Sequence, residues 1–351
     1  MLLAAFGVPG SMSTWGFDAV RALTEAAWGP FATIETDAAE SFMELASGHP
    51  NIVLLSQYPQ PALLDRIDDM GGARLLFLED PSDALDHLTG TSHDEISLVR
   101  TLSASLACLA PLPQMAGVLV LHRDMLRAHA PDKLLDRLEA HLGEVDPGPA
   151  WPPAQPAPGN ALIAERGALL ESAVRTALLE QAPPIASRTP SQPVRDLAAD
   201  VLRPLETMLR LDPATEVVWP RSSFLLGDRP DQFLSGPVEL AGGARCLVYG
   251  PYFHLPRGRW NARMLFGFSD RIYEQGFVVE LHGSDLLERV RFDPPGPGLF
   301  AGTVQFDVTE PQTAIELRIF SEIGAIEGEL TDLSVRLSPA PDDSPPMQPI
   351  G

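Results

Sequence analysis

A short polar loop follows the first apolar segment and contains residue types that bind phosphate. Gly7 and Gly10 bracket a turn, and the hydroxyl-bearing residues Ser11, Ser13 and Thr14 come next, just before a helical pattern. Where a loop joins a strand to a helix, backbone N–H groups and the positive end of the helix dipole attract anions. These five residues predict an oxyanion-binding loop. The G-K-[ST] triplet of a Walker loop is absent from it.

The elements around this loop predict an α/β region in the first 145 residues. Short apolar runs alternate with segments of helical periodicity, a pattern typical of βαβ units and a mostly parallel sheet. The predicted strands lie near 2–6, 31–35, 51–56, 74–78 and 117–121. The predicted helices lie near 14–28, 42–45, 63–70, 82–88, 94–109 and 132–142. The loop therefore follows the first strand, where α/β proteins hold ligands.

A Pro-rich region, residues 146–215, follows. It opens with a linker at 146–159 and continues with two predicted amphipathic helices, near 161–181 and 194–211. Two interpretations stay open. The helices form a hairpin packed on the protein's own domains, or they drive homo-oligomerisation through residues 161–211.

The last third of the chain has the pattern of an all-β domain. Seven short strands separated by turn residues predict a β-sandwich, jelly-roll-like, over residues 216–338. These strands are expected near 245–249, 258–268, 277–282, 287–292, 302–308, 313–319 and 328–337. The Pro-rich, acidic tail 339–351 is predicted to be disordered. The fold class expected for the whole chain is α/β plus all-β.

The loop and two later segments resemble the sulfotransferase family. Residues 9–15, P-G-S-M-S-T-W, are similar to the family loop P-K-S-G-T-T-W, which binds the 5′-phosphosulfate end of 3′-phosphoadenosine 5′-phosphosulfate. Residues 75–88 look like the family's strand, loop and helix that hold the 3′-phosphate, and residues 118–126 like a later strand. The resemblance implies a shortened P-loop sulfotransferase-like domain over residues 1–145.

The chain departs from the family pattern at the positions that carry its chemistry. The loop lysine is Gly10, the loop glycine is Met12, and the arginine that holds the 3′-phosphate is Glu79. The serine of that clamp is His87, and Gln57 stands where many members place a catalytic histidine. A carboxylate repels a phosphate, and an amide cannot accept the proton of an attacking hydroxyl. The only lysine of the chain, Lys133, is far from the loop.

These departures leave the catalytic residues unknown and predict a protein that is not an ordinary sulfotransferase. An active enzyme would need a rebuilt site, with 3′-phosphoadenosine 5′-phosphosulfate as its cofactor. The weak candidates for a base are His49 and His87, followed by His93 and His122, and the candidate phosphate clamps are Arg21 and Arg123. Each of these histidines has the alternative interpretation of a surface or helix-end residue.

A second candidate site lies in the β-sandwich. Residues 249–260 look like the edge of a carbohydrate-binding-like sandwich module, with Tyr252 and Trp260 as stacking platforms and His254 and Arg257 beside them. The alternative is that these aromatic residues fill the sandwich core. With the sulfotransferase resemblance, this stretch implies a place in carbohydrate or surface-polysaccharide modification in a bacterial cytoplasm.

Composition and charge limit the classes of binding partner that the protein is expected to have. Among the 351 residues, Asp and Glu outnumber Lys and Arg by 47 to 25, and the net charge of −22 disfavours nucleic acid and anionic membranes. Cys108 and Cys246 are predicted to be buried thiols in a reducing compartment, and neither a membrane span nor a signal peptide is predicted. The location expected is the cytoplasm. The Asp80, Asp83 and Asp86 series predicts helix capping and no metal site.

Three functions therefore stay open from the residues and the resemblance. The first is a non-catalytic protein that binds a glycan or a glycan-modifying enzyme through the sandwich. The second is an active transferase that sulfates a carbohydrate hydroxyl. The third is a homo-oligomeric assembly protein.

Overall fold

The computed structural model describes residues 1–89, 94–125, 131–144, 170, 172–182, 190–211, 216–269, 272 and 275–341. Residues 1–98 and 108–190 contribute to one compact unit, and residues 99–107 and 191–351 to a second. The predicted linker 146–159, the first half of the helix predicted at 161–181, His93 and nearly all of the tail lie outside the described residues.

The first unit is built on a five-stranded parallel sheet of order β2-β3-β1-β4-β5. Its strands are β1 Leu2–Gly7, β2 Ala32–Glu35, β3 Ile52–Ser56, β4 Ala73–Leu78 and β5 Val118–His122. β1 and β4 are buried at every position, because helices cover both faces of a parallel sheet.

Helices connect these strands. They are α1 Ser11–Trp28, α2 Ala39–Ala46, α3 Pro61–Met70, α4 Pro81–Leu88, α5 Glu95–Leu109, α6 Pro131–Glu144 and α7 Ser172–Glu180. α1 packs with α6 and α7 in one apolar cluster, and the Trp15 indole N–H donates to the carbonyl oxygen of Leu178 at 2.9 Å. Gly16 lets α1 approach the sheet, since a Cβ there would lie 2.5 Å from the Phe77 ring.

The strand order creates a crevice between β1 and β4. The chain leaves β1 toward β2 on one side of the sheet, whereas it leaves β4 toward β5 on the other. In open α/β sheets, ligands bind in such a crevice at the carboxyl ends of the strands. The loop after Gly7 and the residues after Leu78 meet there.

The second unit consists of two antiparallel sheets, of order β13-β12-β15-β10-β7-β8 and β14-β11-β16-β6, with β9 paired to β16. Its short strands are β6 Val217–Trp219, β7 Leu225–Leu226, β8 Arg229–Phe233 and β9 Val238–Glu239. Its longer strands are β10 Cys246–Phe253, β11 Gly258–Phe268, β12 Phe277–His282, β13 Leu286–Phe292, β14 Gly298–Val308, β15 Ile315–Ser321 and β16 Glu329–Pro339. The helix α8, Gln192–Leu209, packs on β6.

The expected combination of an α/β region and an all-β region is confirmed. The seven predicted strands correspond to β10–β16, whereas β6–β9 were missed. β6, β7 and β9 have only two or three residues, and β8 is a polar segment that contains a proline. The predicted helix at 14–28 begins earlier, at Ser11, so Ser11, Ser13 and Thr14 form the first turn of α1.

One segment among the described residues, Glu95–Gln114, has the length and hydropathy of a membrane-spanning helix. Of its most apolar window, 56% is buried inside the protein, a burial that core helices of soluble proteins also show.

Candidate functional site

The candidate oxyanion loop lies between β1 and α1, with the backbone tightly packed. A Cβ on Gly7 would lie 2.6 Å from the Cβ of Ser13, so the end of β1 touches the first turn of α1. The Ser13 and Thr14 hydroxyls both donate to the Gly10 carbonyl oxygen, at 3.1 and 2.9 Å. These two hydroxyls therefore bond to their own helix turn, as Ser and Thr commonly do.

The carboxylate of Glu79 occupies the loop. Glu79 follows β4 directly and is 1% exposed. The Ser11 hydroxyl donates to its Oε2 at 3.0 Å, and the Met12 backbone N–H donates to its Oε1 at 3.3 Å. A hydroxyl and a helix N-terminal N–H are the groups that would otherwise hold a phosphate oxygen. The chain therefore supplies its own anion at this position.

Gly10 makes room for this carboxylate. A Cβ at Gly10 would lie 1.6 Å from Glu79 Oε1. The Gly10 backbone is extended, with φ 171°, so any residue could adopt its conformation. The reason for glycine here is therefore the close approach of Glu79.

Arg123 completes the cluster from the other side. It follows β5, and its Nη1 lies 3.1 Å from Glu79 Oε2 and 3.4 Å from Asp83 Oδ2. Burial raises the pKa of Glu79, while Arg123 and the hydrogen bonds from Ser11 and Met12 oppose that rise. The proposed phosphate clamp Arg123 is thus engaged with two carboxylates of its own chain.

The remaining candidate residues of the first unit lie apart from this cluster. His49 is exposed and precedes β3, so it lies at the amino edge of the parallel sheet, opposite the loop. His87 is exposed on the last turn of α4. His122 pairs with Asp124 at 3.1 Å.

Arg21 and the aspartate series have structural roles. Arg21 pairs with Asp18 at 3.0 Å and with Glu35 at 2.6 Å. Asp80 caps α4 by accepting from the Ser82 N–H at 2.8 Å, as the capping interpretation predicts. Among the described residues, no cluster of three His, Cys, Asp or Glu side chains has the arrangement of a metal site.

A polar pocket of about 400 Å³ opens beside the loop, at the carboxyl ends of β2 and β3. Asp37 lies in its wall and accepts at Oδ1 from the Ser56 hydroxyl at 2.6 Å and from the Gln57 and Tyr58 N–H groups at 3.2 and 2.9 Å. Burial and Asp37 raise the pKa of Tyr58 to about 12. The wall is lined by Thr14, Phe17, Asp18, Arg21, Glu35, Thr36, Asp37, Leu55, Ser56, Gln57 and Tyr58. With three carboxylates against one guanidinium, this pocket disfavours a phosphate-bearing ligand.

In the second unit, the four glycan-binding candidates Tyr252, His254, Arg257 and Trp260 lie in different environments. Trp260 is 2% exposed and donates to the Pro256 carbonyl oxygen at 2.9 Å, so its ring belongs to the sandwich core and is not a stacking platform. His254 donates to the Pro311 carbonyl oxygen at 3.0 Å, and burial lowers its pKa. Arg257 is exposed.

Tyr252 is the candidate that joins a polar network. Its hydroxyl donates to Glu316 Oε1 at 2.9 Å, and its ring lies edge-on to Tyr249 with 6.2 Å between centroids. The Arg100 guanidinium lies 5.3 Å from the ring centroid, a cation–π contact. The Tyr252 backbone has φ 68°, a left-handed conformation that is uncommon for a non-glycine residue.

Sequence reasoning missed the charged members of this network. Glu316 pairs with Arg318 at 2.6 Å, and Glu280 pairs with His282 at 2.9 Å and with Arg289 at 3.5 Å. In the sequence, these charged residues alternate with apolar residues along the strands, and this pattern could have indicated a polar face on the sheet. Such alternation is also typical of a simple solvated face, so the sequence did not distinguish the two.

Comparison with known proteins gives distant structural neighbours only. No family model and no curated protein matches this sequence. A mouse sulfotransferase complexed with PAP is 10% identical, covers 54% of this chain and 68% of its own, and has a TM-score of 0.33. TmCBM61 in complex with beta-1,4-galactotriose is 9% identical, covers 35% and 88%, and has a TM-score of 0.23. A family 16 carbohydrate-binding module is 13% identical, covers 31% and 77%, and has a TM-score of 0.18. Neighbours this distant do not indicate the activity of this chain.

Proposed function

We propose that this is a carbohydrate-associated binding protein whose sulfotransferase-like α/β unit does not transfer sulfate from 3′-phosphoadenosine 5′-phosphosulfate. The observation that carries the proposal is the position of the Glu79 carboxylate, bound to the Ser11 hydroxyl and the Met12 N–H at the start of α1. A phosphate of the sulfate-donating nucleotide would compete with this carboxylate for the same two hydrogen-bond donors.

The electrostatics of the loop support the same conclusion. A phosphosulfate brought to the loop would approach the carboxylates of Glu79 and Asp83, and the nearby cation Arg123 already pairs with both. Displacing Glu79 would break a buried ion pair, a change that costs about 3–5 kcal/mol in proteins. With Gly10 in place of lysine, no side-chain cation from the loop itself offsets that cost.

The position where many sulfotransferases place a catalytic histidine also lacks a proton acceptor. The Gln57 side chain lies beside the loop, where its amide donates to the Ser13 hydroxyl at 3.4 Å. An amide has no titratable lone pair to accept a proton at neutral pH. The function therefore rests on binding, and we propose a glycan or a glycan-modifying enzyme as the partner, in the cytoplasm, with the sandwich as the binding module.

Isothermal titration of the full chain with adenosine 3′,5′-bisphosphate tests the proposal, together with a sulfate-transfer assay against a panel of sugar acceptors. The expected result is no heat of binding at millimolar nucleotide and no transfer. Micromolar binding, or transfer that disappears in Ser11→Ala, would overturn it and favour an active transferase with a rebuilt site.

A further inference from the structure

A row of polar and aromatic side chains crosses four neighbouring strands of the six-stranded sheet. Arg289 on β13 is paired in register with Glu280 on β12, Glu280 with Arg318 on β15, and Arg318 with Tyr249 on β10. Directly paired residues of antiparallel strands point to the same face of a sheet. The four side chains therefore form one continuous line across that face.

Solvent reaches this line. Arg289 is 61% exposed, Arg318 is 39% exposed and Glu280 is 17% exposed. Tyr249 is partly exposed at the end of the row. The row thus combines a rigid sheet backbone with charged groups that a ligand in solution can touch.

A parallel row lies one side-chain step away. His282 is paired in register with Glu316, and Glu316 accepts the hydroxyl of Tyr252 at 2.9 Å. Ion pairs connect members within and between the rows, since Glu280 contacts both Arg289 and His282, and Glu316 contacts Arg318. The two rows lie side by side on one face of the sheet, here called the paired-charge face.

The dimensions of this face suit an extended sugar chain. Neighbouring strands are about 4.8 Å apart, so the three steps from Arg289 to Tyr249 span about 14 Å. One strand-to-strand step is close to the length of one pyranose unit in an extended oligosaccharide. Three or four successive sugar rings can therefore each face a different strand.

The chemistry of the face selects the ligand class. Each carboxylate lies beside a guanidinium or imidazole, so neighbouring groups present an acceptor and a donor to a pair of sugar hydroxyls. Tyr249 and Tyr252 add aromatic surface for the apolar side of a ring. Two glutamates balance two arginines, and these existing ion pairs leave no net positive charge to attract an acidic glycan.

We propose that the paired-charge face, formed by Tyr249, Tyr252, Glu280, His282, Arg289, Glu316 and Arg318, binds a neutral oligosaccharide of three to four units along the in-register row. The proposal deepens the proposed function, on which it rests, by naming the ligand class and its place. It keeps Tyr252 from the site expected from the sequence and leaves out His254, Arg257 and Trp260.

The test uses the full chain on an array of neutral hexose oligosaccharides with sulfated and uronate-bearing counterparts, followed by calorimetric titration of the tightest neutral oligosaccharide. Glu280→Gln and Tyr249→Ala are the variants of the face. Each variant removes one contact between the face and the oligosaccharide, so the affinity for the oligosaccharide is expected to fall at least tenfold in both variants. Circular dichroism and thermal unfolding show whether each variant is folded.

Arg259→Gln provides the matched control. Arg259 pairs with Asp307 at 3.1 Å on the other sheet and is 42% exposed, so it resembles Arg318 in type and exposure. The affinity of Arg259→Gln for the oligosaccharide is expected to equal that of the unmodified protein. Absence of binding to every neutral oligosaccharide, a preference for acidic glycans, or equal affinity in all three variants would overturn the proposal. The nucleotide titration above is independent of these results, so failure of the face does not imply failure of the proposed function.

Discussion

Arg123 Nη1 lies 3.1 Å from Glu79 Oε2, and the two side chains are only 5% and 1% exposed. The Glu79 carboxylate lies at the loop after β1, where it also accepts hydrogen bonds from the Ser11 hydroxyl and the Met12 N–H. A site of this geometry normally receives its anion from a ligand. Here the anion is the Glu79 carboxylate of the same chain, directly after β4.

Removing the cation is expected to destabilise the first unit. In Arg123→Met, the Glu79 carboxylate stays buried without its nearest positive charge, and such changes cost about 3 kcal/mol or more. Urea unfolding with hydrogen exchange of β1 and β4 measures the loss. Glu35→Gln serves as the control, because its partner Arg21 and Glu35 itself are 36% and 68% exposed and surface pairs contribute roughly 0–1 kcal/mol. A loss below about 1 kcal/mol in Arg123→Met would contradict a structural role for the pair.

Removing both charges is expected to restore most of that stability. Glu79→Gln combined with Arg123→Met removes both charges of the buried pair, and replacement of whole buried pairs is often neutral. The Asp83 carboxylate, which is 17% exposed, still loses Arg123, so the recovery is expected to be incomplete. The same unfolding experiment completes a double-mutant cycle. Additive losses in the double variant would show that the two side chains do not act as a pair.

The cost of Arg123→Met is expected to grow with pH. Burial raises the folded pKa of Glu79 above its unfolded value, so the folded state binds the proton more tightly. Stability from this group is therefore fully present below the unfolded pKa and is lost as pH rises through the folded pKa. Without Arg123, which opposes the rise, the loss is larger. Unfolding at pH 5, 6, 7 and 8 should show a widening gap between the variant and the unmodified chain, and no widening in the double variant.

Shortening Glu79 is expected to open an oxyanion site. In Glu79→Ala, the Ser11 hydroxyl, the Met12 N–H and Arg123 lose their carboxylate and become available to inorganic sulfate. At constant ionic strength, millimolar sulfate should raise the unfolding temperature of Glu79→Ala by mass action. The unmodified chain and Glu79→Ala combined with Arg123→Met should not respond. Equal responses in all three proteins would mean that sulfate acts non-specifically.

Adding one methyl group to α1 is expected to disturb the core of the first unit. The Cβ of Gly16→Ala would lie 2.5 Å from the Phe77 ring, and overpacking of this kind costs about 1–3 kcal/mol. Gly236→Ala is the control, since its Cβ would meet nothing within 4 Å. Unfolding midpoints of the two variants check this, and a Gly16→Ala midpoint as high as that of Gly236→Ala would contradict the close packing.

Much of the fold could be predicted because its signals are local. Alternating apolar and helical patterns located all five strands of the first sheet and the seven longer strands of the second unit. The strands β6, β7 and β9 were missed because two or three residues show no periodic pattern, and β8 was missed because its sequence is polar and contains a proline. The start of α1 was placed three residues late, since Ser11, Ser13 and Thr14 resemble loop residues. In the structure the Ser13 and Thr14 hydroxyls bond to the Gly10 carbonyl oxygen in the first turn, and the Ser11 hydroxyl bonds to Glu79.

The candidate sites were less predictable because they depend on contacts between distant segments. Trp260 was a candidate for sugar stacking from its type, yet its environment is set by strands before and after it that bury it. Arg289, Glu280, Arg318 and Tyr249 form one row only after four strands pair in register. The strand register cannot be predicted from the spacing of these residues in the sequence.

By itself, the sequence determined that a phosphate-type loop lacks its lysine at Gly10 and that a carboxylate replaces an arginine at Glu79. It did not determine where that carboxylate points. Ser11 and Glu79 are 68 positions apart, and their contact exists because β1 and β4 are neighbours in the sheet order. Periodicity is a property of short segments, whereas strand order follows from burying all segments together. For that reason only the tertiary structure decided that the loop is occupied by its own chain.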